Sequence, residues 1–313
     1  MEQIITSFPG QGAQYPGMAL DFYEQSAEVK HLFDVASTTC GLDIKKILEE
    51  GDAEVLKQTK VAQASITLAN MASLTVLKER GFTPLAVTGF SLGEFAALCA
   101  AEVFSVETLF QLVSLRGHFM DEACQKAAAE HGALTMAAVI GLPRESVETI
   151  LKENNVVGLY MANDNSAKQV VLSGTTAEVD RLTPLLKDAG ARRIVKLAVA
   201  GPFHSPFMQQ AEAAFRKEIE TVTFHNPTIP VYCNVNGQAI HDGNEMKRLS
   251  PLQITHPVAW RDTMQNILHD YSSDHLFVEA GPGKVLTGFW KSVGVKCQPC
   301  GSIELIEKLM ERK

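Results

Sequence analysis

The sequence predicts an α/β protein in which a large domain with a parallel sheet is interrupted by a smaller α+β unit. Three observations carry this expectation. Short apolar runs end in glycine turns and give way to stretches at helical spacing, as strands alternating with crossover helices do. Between residues 133 and 199 the order becomes β-α-β-β-α-β, the ferredoxin-like arrangement. A length of 313 residues also exceeds the usual size of one domain. The expected division is a large domain over 1–128 and 200–313 and a ferredoxin-like small domain over 129–199, with the site in the cleft between them.

Taken in order, the run 4–8 ends in Pro9-Gly10-Gln11-Gly12, and the run 85–90 leads into Ser91-Leu92-Gly93-Glu94. Both read as strands closed by tight turns. Leu92, Phe95, Ala96, Cys99 and Ala100 recur at helical spacing, and a second stripe follows at Val106, Leu109, Phe110, Val113, Gly117 and Met120. The small unit is read as a strand at 134–140, a helix from Pro143, strands at 156–161 and 170–172, a helix at 177–187 and a strand at 194–199. Beyond it come a helix at 206–220, a strand at 229–233, a helix at 258–269 and a strand at 276–279.

Composition narrows the class. Hydrophobic residues make up 46% and charged residues 20%, which excludes a disordered or fibrous chain. Acidic residues number 36 against 28 basic, and the net charge of -8 opposes nucleic-acid binding over long range. The opening ten residues have no basic segment before an apolar stretch, and the weakly polar run 132–142 is too short to span a bilayer, so neither export nor membrane anchoring is expected. Six cysteines are too sparse for a disulfide scaffold and fit the reducing cytoplasm; Cys297 and Cys300 form a lone CxxC, read as reduced structural thiols. The nine histidines show no metal-binding spacing, so no metal is expected.

Gly89-Phe90-Ser91-Leu92-Gly93 is a GxSxG. On a strand-to-helix turn, glycines two before and two after the serine avoid collision with strand and helix, the hydroxyl projects outward, and the Leu92 amide can face developing negative charge. The large domain is expected to be α/β-hydrolase-like; for the serine itself, a helix cap is the competing reading. A serine hydroxyl needs a base, because its own pKa leaves it protonated at neutral pH. His204, in Gly201-Pro202-Phe203-His204-Ser205 between a strand and a helix, is the candidate, against a merely structural loop histidine. Arg116 lies on the apolar stripe of its helix, where a guanidinium is costly unless a buried carboxylate or a ligand meets it. Gly10-Gln11-Gly12 and Gly281-Pro282-Gly283 do not continue as GxGxxG, so no dinucleotide cofactor is expected.

Pro9 to Gln14, Gly89 to Glu94, Arg116, Gly201 to Ser205, Gln253 with His256-Pro257-Val258, and Glu279 to Gly288 together resemble the malonyl-CoA:acyl carrier protein transacylases nearly end to end. The resemblance implies that Ser91 is acylated, that His204 is the base, and that the backbone amides of Gln11 and Leu92 form an oxyanion hole. Arg116 would grip the malonyl carboxylate, and the backbone carbonyl of Gln253 would orient the imidazole. Gln63, Phe90, Asn163, Asn165 and Phe203 would line the pocket. Ala64 stands where the family usually has proline, and Phe90 where it usually has histidine.

The implied activity is malonyl transfer from CoA to the phosphopantetheine thiol of an acyl carrier protein in fatty-acid synthesis, with malonyl-CoA as substrate and no permanently bound cofactor. Alternatives are a polyketide acyltransferase, an acyl hydrolase, or a carrier-docking module without chemistry. An acidic carrier needs local positive charge, for which Arg192, Arg193, Lys196, Lys284 and Lys291 are candidates, solvated surface charge being the other reading.

Overall fold

The computed structural model describes residues 1–197, 199 and 201–311. The strands are β1 (Glu2–Phe8), β2 (Phe82–Gly89), β3 (Leu134–Ile140), β4 (Leu159–Ser166), β5 (Gln169–Thr175), β6 (Arg193–Lys196), β7 (Val231–Tyr232), β8 (Ala239–Ile240), β9 (Leu276–Glu279) and β10 (Cys297–Pro299). Helices α1 (Leu20–Gln25), α2 (Ala27–Cys40), α3 (Ile44–Glu50), α4 (Ala53–Lys57) and α5 (Thr59–Glu79) separate β1 from β2. Then come α6 (Gly93–Ala100), α7 (Val106–His131), α8 (Arg144–Glu153) and α9 (Thr176–Asp188). The later helices are α10 (Gln209–Glu220), α11 (Gly243–Leu252), α12 (Trp260–Asp270), α13 (Val285–Ser292) and α14 (Ile303–Met310).

Two sheets result. The larger has the order β10-β9-β1-β2-β7-β8, parallel except for the β7–β8 edge pair. The smaller is antiparallel with the order β4-β5-β3-β6, and with α8 and α9 it forms the ferredoxin-like unit. Helices cover both faces of the parallel sheet, which is why β1 is buried at every residue from Ile4 to Phe8, the polar Thr6 and Ser7 included.

Helix α7 starts where the Ser105 hydroxyl accepts from the Thr108 N–H and stops at Gly132, whose φ is 79°. It packs against α5, α10 and α2, with Leu109, Phe110, Val113 and Met120 among its buried residues. Phe95 on α6 and Phe215 on α10 meet edge to face at 5.8 Å, each fully buried and each contributing about 2–3 kcal/mol by leaving water.

Several boundaries differ from the sequence expectation. Strand β4 runs on to Ser166 rather than ending at 161, because the polar residues Asn163, Asp164 and Asn165 are buried rather than turned to solvent. The helix expected at 206–220 opens with a 3-10 turn at Pro206–Met208 before α10. The expected strand at 229–233 shrinks to two residues. The run 194–199 is a strand only to Lys196; Ala198, like Ala200 at the expected domain boundary, lies outside the described residues. Cys297 sits in β10 and Cys300 just beyond it, both as buried free thiols whose pKa burial raises.

The tight point of the fold is where β1 and β2 end side by side. A Cβ on Gly89 would stand 2.0 Å from the carbonyl carbon of Gly93, and one on Gly10 would stand 2.2 Å from the Phe90 oxygen. The two turns therefore interlock through bare backbone. Gly89→Ala is expected to cost more than ~3 kcal/mol, read as a large drop in the midpoint of thermal unfolding followed by circular dichroism.

Candidate active site

Strands β1 and β2 are central neighbours in the parallel sheet, and the loops leaving their carboxyl ends build the site, the usual position in open α/β sheets. Ser91 stands two residues beyond the end of β2 with φ 52°, in the left-handed region that a side chain rarely occupies. Asn234 holds it there. The Asn234 Oδ1 accepts the Ser91 N–H at 2.6 Å, and its Nδ2 donates to the Gly89 carbonyl at 2.6 Å. The Asn234 N–H in turn donates to Glu94 Oε2 at 2.5 Å.

His204 is likewise left-handed, with φ 56°, and 4% exposed. Its Nδ1 lies 2.7 Å from the Gln253 carbonyl and 3.2 Å from that of His256. A carbonyl only accepts, so Nδ1 carries the proton and Nε2 is left as an acceptor 2.8 Å from Ser91 Oγ. Burial, and then the charge of Arg116, push the imidazole pKa down to about 4 against the opposing pull of the two carbonyls. The ring is neutral at pH 7.

Arg116 is 1% exposed. Its Nη2 donates to Gln253 Oε1 at 2.9 Å and reaches Ser91 Oγ at 3.3 Å, and the guanidinium carbon lies 5.7 Å from the centre of the Phe95 ring. Burial lowers its pKa to about 10, so it remains cationic, while the nearby Glu94 opposes that shift. Glu94 is also 1% exposed, and burial pushes its carboxyl up to about 7 against hydrogen bonds from Asn234 and Gln253 and the charge of Arg116.

Ser91, Arg116 and His204 converge on a small cavity of about 80 Å³ that Gln11, Phe90, Asn163 and Phe203 also line. Outside it a hollow of about 390 Å³ shares Gln11, Phe90 and Asn163 and adds Asn165, Lys57 and Val285. Phe90 packs edge to face on Trp260 at 5.4 Å and tilted on Phe289 at 5.9 Å, which fixes the wall it forms. Leu92 follows the nucleophile, and its nitrogen would lie 3.6 Å from a Cβ on Gly10, so the amides at 11 and 92 belong to touching loops. A hollow of about 440 Å³ beside His31 and Glu107 contains no serine or cysteine among the residues that line it.

The structure thus brings Ser91, His204, Arg116, Gln11, Phe90, Asn163 and Phe203 to one cavity, with Gln253 behind it and Asn165 further out. Gln63 is the correction. It is fully buried on α5 with its Nε2 3.4 Å from Met120 Sδ, so the thioether, not the amide, meets the cavity. Sequence reasoning also missed Asn234, which follows a two-residue strand and carries no signal, and the part played by Glu94. A lone acid on the otherwise apolar helix α6 is as costly as Arg116 on α7, and the two anomalies could have been paired.

The family model described as the acyl transferase domain matches residues 7–310. The malonyl CoA-acyl carrier protein transacylase of Bacillus subtilis (strain 168) is 36% identical over 297 residues, covering 94% of this chain and 91% of that protein. The protein of the same name from Escherichia coli (strain K12) is 34% identical over 94% of this chain and 93% of its own. Among solved structures, MCAT from Streptococcus pneumoniae superposes with a TM-score of 0.91 at 31% identity, with both chains covered in full. A malonyl-transacylase solved in complex with its type II PKS acyl-carrier protein also gives 0.91, at 30% identity and full coverage of both chains. With this match spanning nearly the whole sequence, and with a serine, a histidine and an arginine gathered in one cavity, the chain belongs to the acyl transferase domain family.

Proposed function

We propose that this acyltransferase moves a malonyl group from coenzyme A to the phosphopantetheine thiol of an acyl carrier protein, in fatty-acid synthesis, through an ester on Ser91. The observation that carries the reading is a buried guanidinium reaching the hydroxyl of a serine that is already hydrogen-bonded to a neutral imidazole. Ser91 Oγ attacks the thioester carbonyl while its proton passes to His204 Nε2. The imidazolium that forms is held by the Gln253 carbonyl on Nδ1, where a conventional triad has a carboxylate. The tetrahedral oxyanion lies toward the amides of Gln11 and Leu92, and the carbon–sulfur bond breaks as His204 returns the proton to the leaving thiolate. The carrier's thiol then attacks the ester by the reverse steps, leaving the malonyl thioester and free Ser91.

Arg116 supplies selectivity. Its planar fork can take the free carboxylate of a malonyl group, which an acetyl group does not offer. Phe203, 5% exposed beside the base, leaves little room for an α-methyl substituent. The outer hollow suits the pantetheine arm, with Asn163 and Asn165 as polar lining and Phe90 as an apolar wall. A carrier protein would approach the exposed Lys284 and Lys291 on one side or Arg192 and Arg193 on the other; Lys196 is already paired with Asp180 at 2.7 Å. The active site sits between a large domain of 1–128 and 200–313 and an inserted domain of 129–199. The location that goes with this reading is the cytoplasm; no helix among the described residues is long and apolar enough to cross a membrane. The likeness to a transacylase solved with a type II PKS carrier favours a second reading in which the partner belongs to a polyketide assembly line.

Intact-mass measurement after incubation with malonyl-CoA is expected to show a malonyl adduct on the wild type that a carrier protein discharges. Ser91→Ala should show none, and an adduct persisting on that variant would remove Ser91 as nucleophile. For Arg116→Ala, malonyl transfer should fall about 100-fold, equivalent to ~3 kcal/mol, while acetyl transfer holds or rises. An unchanged malonyl-to-acetyl ratio would exclude the guanidinium as the carboxylate's ligand. The base must be neutral to act, so kcat/KM for acylation by acetyl-CoA, which carries no free carboxylate, is expected to stay level down to mildly acid pH and fall only as pH drops through about 4. A fall centred near the ordinary histidine value, in stopped-flow acylation of enzyme that remains folded, would contradict a base held down by burial and Arg116.

A further inference from the structure

Two charged side chains lie buried beneath the catalytic serine, and the mechanism above uses only one of them. Glu94 comes from α6 and Arg116 from α7, each 1% exposed. The Gln253 side chain joins them. Its Oε1 accepts from Arg116 Nη2 at 2.9 Å, while its amide hydrogen-bonds Glu94 and donates to the Ser91 carbonyl at 3.0 Å. Asn234 adds its backbone N–H to the carboxylate at 2.5 Å.

We propose that Glu94 is the resident counter-anion of Arg116, a positioning and selectivity residue that competes across the Gln253 amide with the carboxylate of an incoming acyl group. The inference rests on the reading of Arg116 as that carboxylate's ligand. In the empty site a buried cation needs a nearby anion, and Glu94 provides it on the protein side of the guanidinium. When the acyl carboxylate arrives, two anions share one cation and each weakens the hold on the other. Glu94 therefore stabilises the empty enzyme and moderates affinity for a charged acyl group, which eases its later transfer, while a neutral acyl group feels no such opposition. The charged and titratable groups facing Glu94 are Arg116 on α7 and the Cys233 thiol after β7, which the carboxylate helps to raise; His204 joins them through Arg116.

The test compares the full-length wild type with Glu94→Gln, which keeps shape and removes charge, and Glu94→Asp, which keeps charge. KM values for acylation of Ser91 by malonyl-CoA and by acetyl-CoA are measured with the thermal midpoint of the unliganded protein. For Glu94→Gln the malonyl-CoA KM is expected to fall about three- to tenfold, with the acetyl-CoA KM unmoved and the midpoint a few degrees lower; Glu94→Asp should keep the wild-type ratio. Equal movement of both KM values, or none, overturns the proposal. Should Glu94→Gln not fold, the wild type decides. Its malonyl-CoA KM, taken relative to acetyl-CoA, should rise between about pH 6 and about pH 8.5 as Glu94 ionises, and a flat ratio overturns the proposal. A wild type with no preference between the two thioesters removes the carboxylate reading of Arg116 as well, whereas a selective wild type with an inert Glu94→Gln removes only the role of Glu94.

Discussion

A guanidinium taken out of water on the apolar face of α7 constrains everything around it. An unpaired charge at such a place costs several kcal/mol, so the neighbouring elements must present acceptors and anions to it. Helix α6 supplies Glu94 and the face of Phe95, the segment after α11 supplies Gln253, and the turn after β2 supplies the Ser91 hydroxyl. One residue, Gln253, serves the cation with its side-chain Oε1, the serine turn with its side-chain amide and the histidine with its backbone carbonyl. Binding selectivity, nucleophile geometry and base orientation are thereby tied to a single residue that is 1% exposed.

The same economy governs the backbone. Ser91 and His204 both hold left-handed conformations that a chain adopts only when its surroundings over-determine them. For Ser91 the restraint comes from Asn234 on one side and from the interlocked turns at Gly10 and Gly89 on the other. For His204 it comes from its own N–H bonded to the Ile254 carbonyl at 3.1 Å and from the carbonyls that fix Nδ1. The segment Gln253 to His256 thus anchors the base by backbone groups alone, which keeps a second carboxylate away from a site that must receive an anionic acyl group.

The inserted sheet is docked by related means. Strand β4 meets the loop before α12 through Asp164 N–H to the Val258 carbonyl at 3.0 Å and Val258 N–H to the Ala162 carbonyl at 2.9 Å. Asp164, 1% exposed, stands 3.2 Å from Arg261 on α12, and burial raises its carboxyl to about 6 against the two nearby guanidiniums, Arg261 and Arg144. On either side of it Asn163 and Asn165 line the cleft. The anchor that joins the two sheets and the residues that shape the pocket are therefore alternate positions of one strand.

What could be read from residues alone was local: glycine spacing around Ser91, the placing of His204 between a strand and a helix, the misplaced charge of Arg116, and the β-α-β-β-α-β order of the inserted unit. Each follows from sterics or solvation of a short segment, and the family resemblance joined these separated segments into one site. Partnership was decided only by the tertiary structure. That Asn234 holds the serine turn, that Glu94 faces Arg116 across Gln253, and that Met120 stands between Gln63 and the cavity depend on which segments meet across the fold. The extension of β4 through three polar residues was illegible for the same reason, because their burial is set by the loop before α12, some ninety positions further along the chain. Hydrophobic period and turn chemistry act over a few residues, whereas the match between a buried polar atom and its partner exists only once the chain has closed on itself.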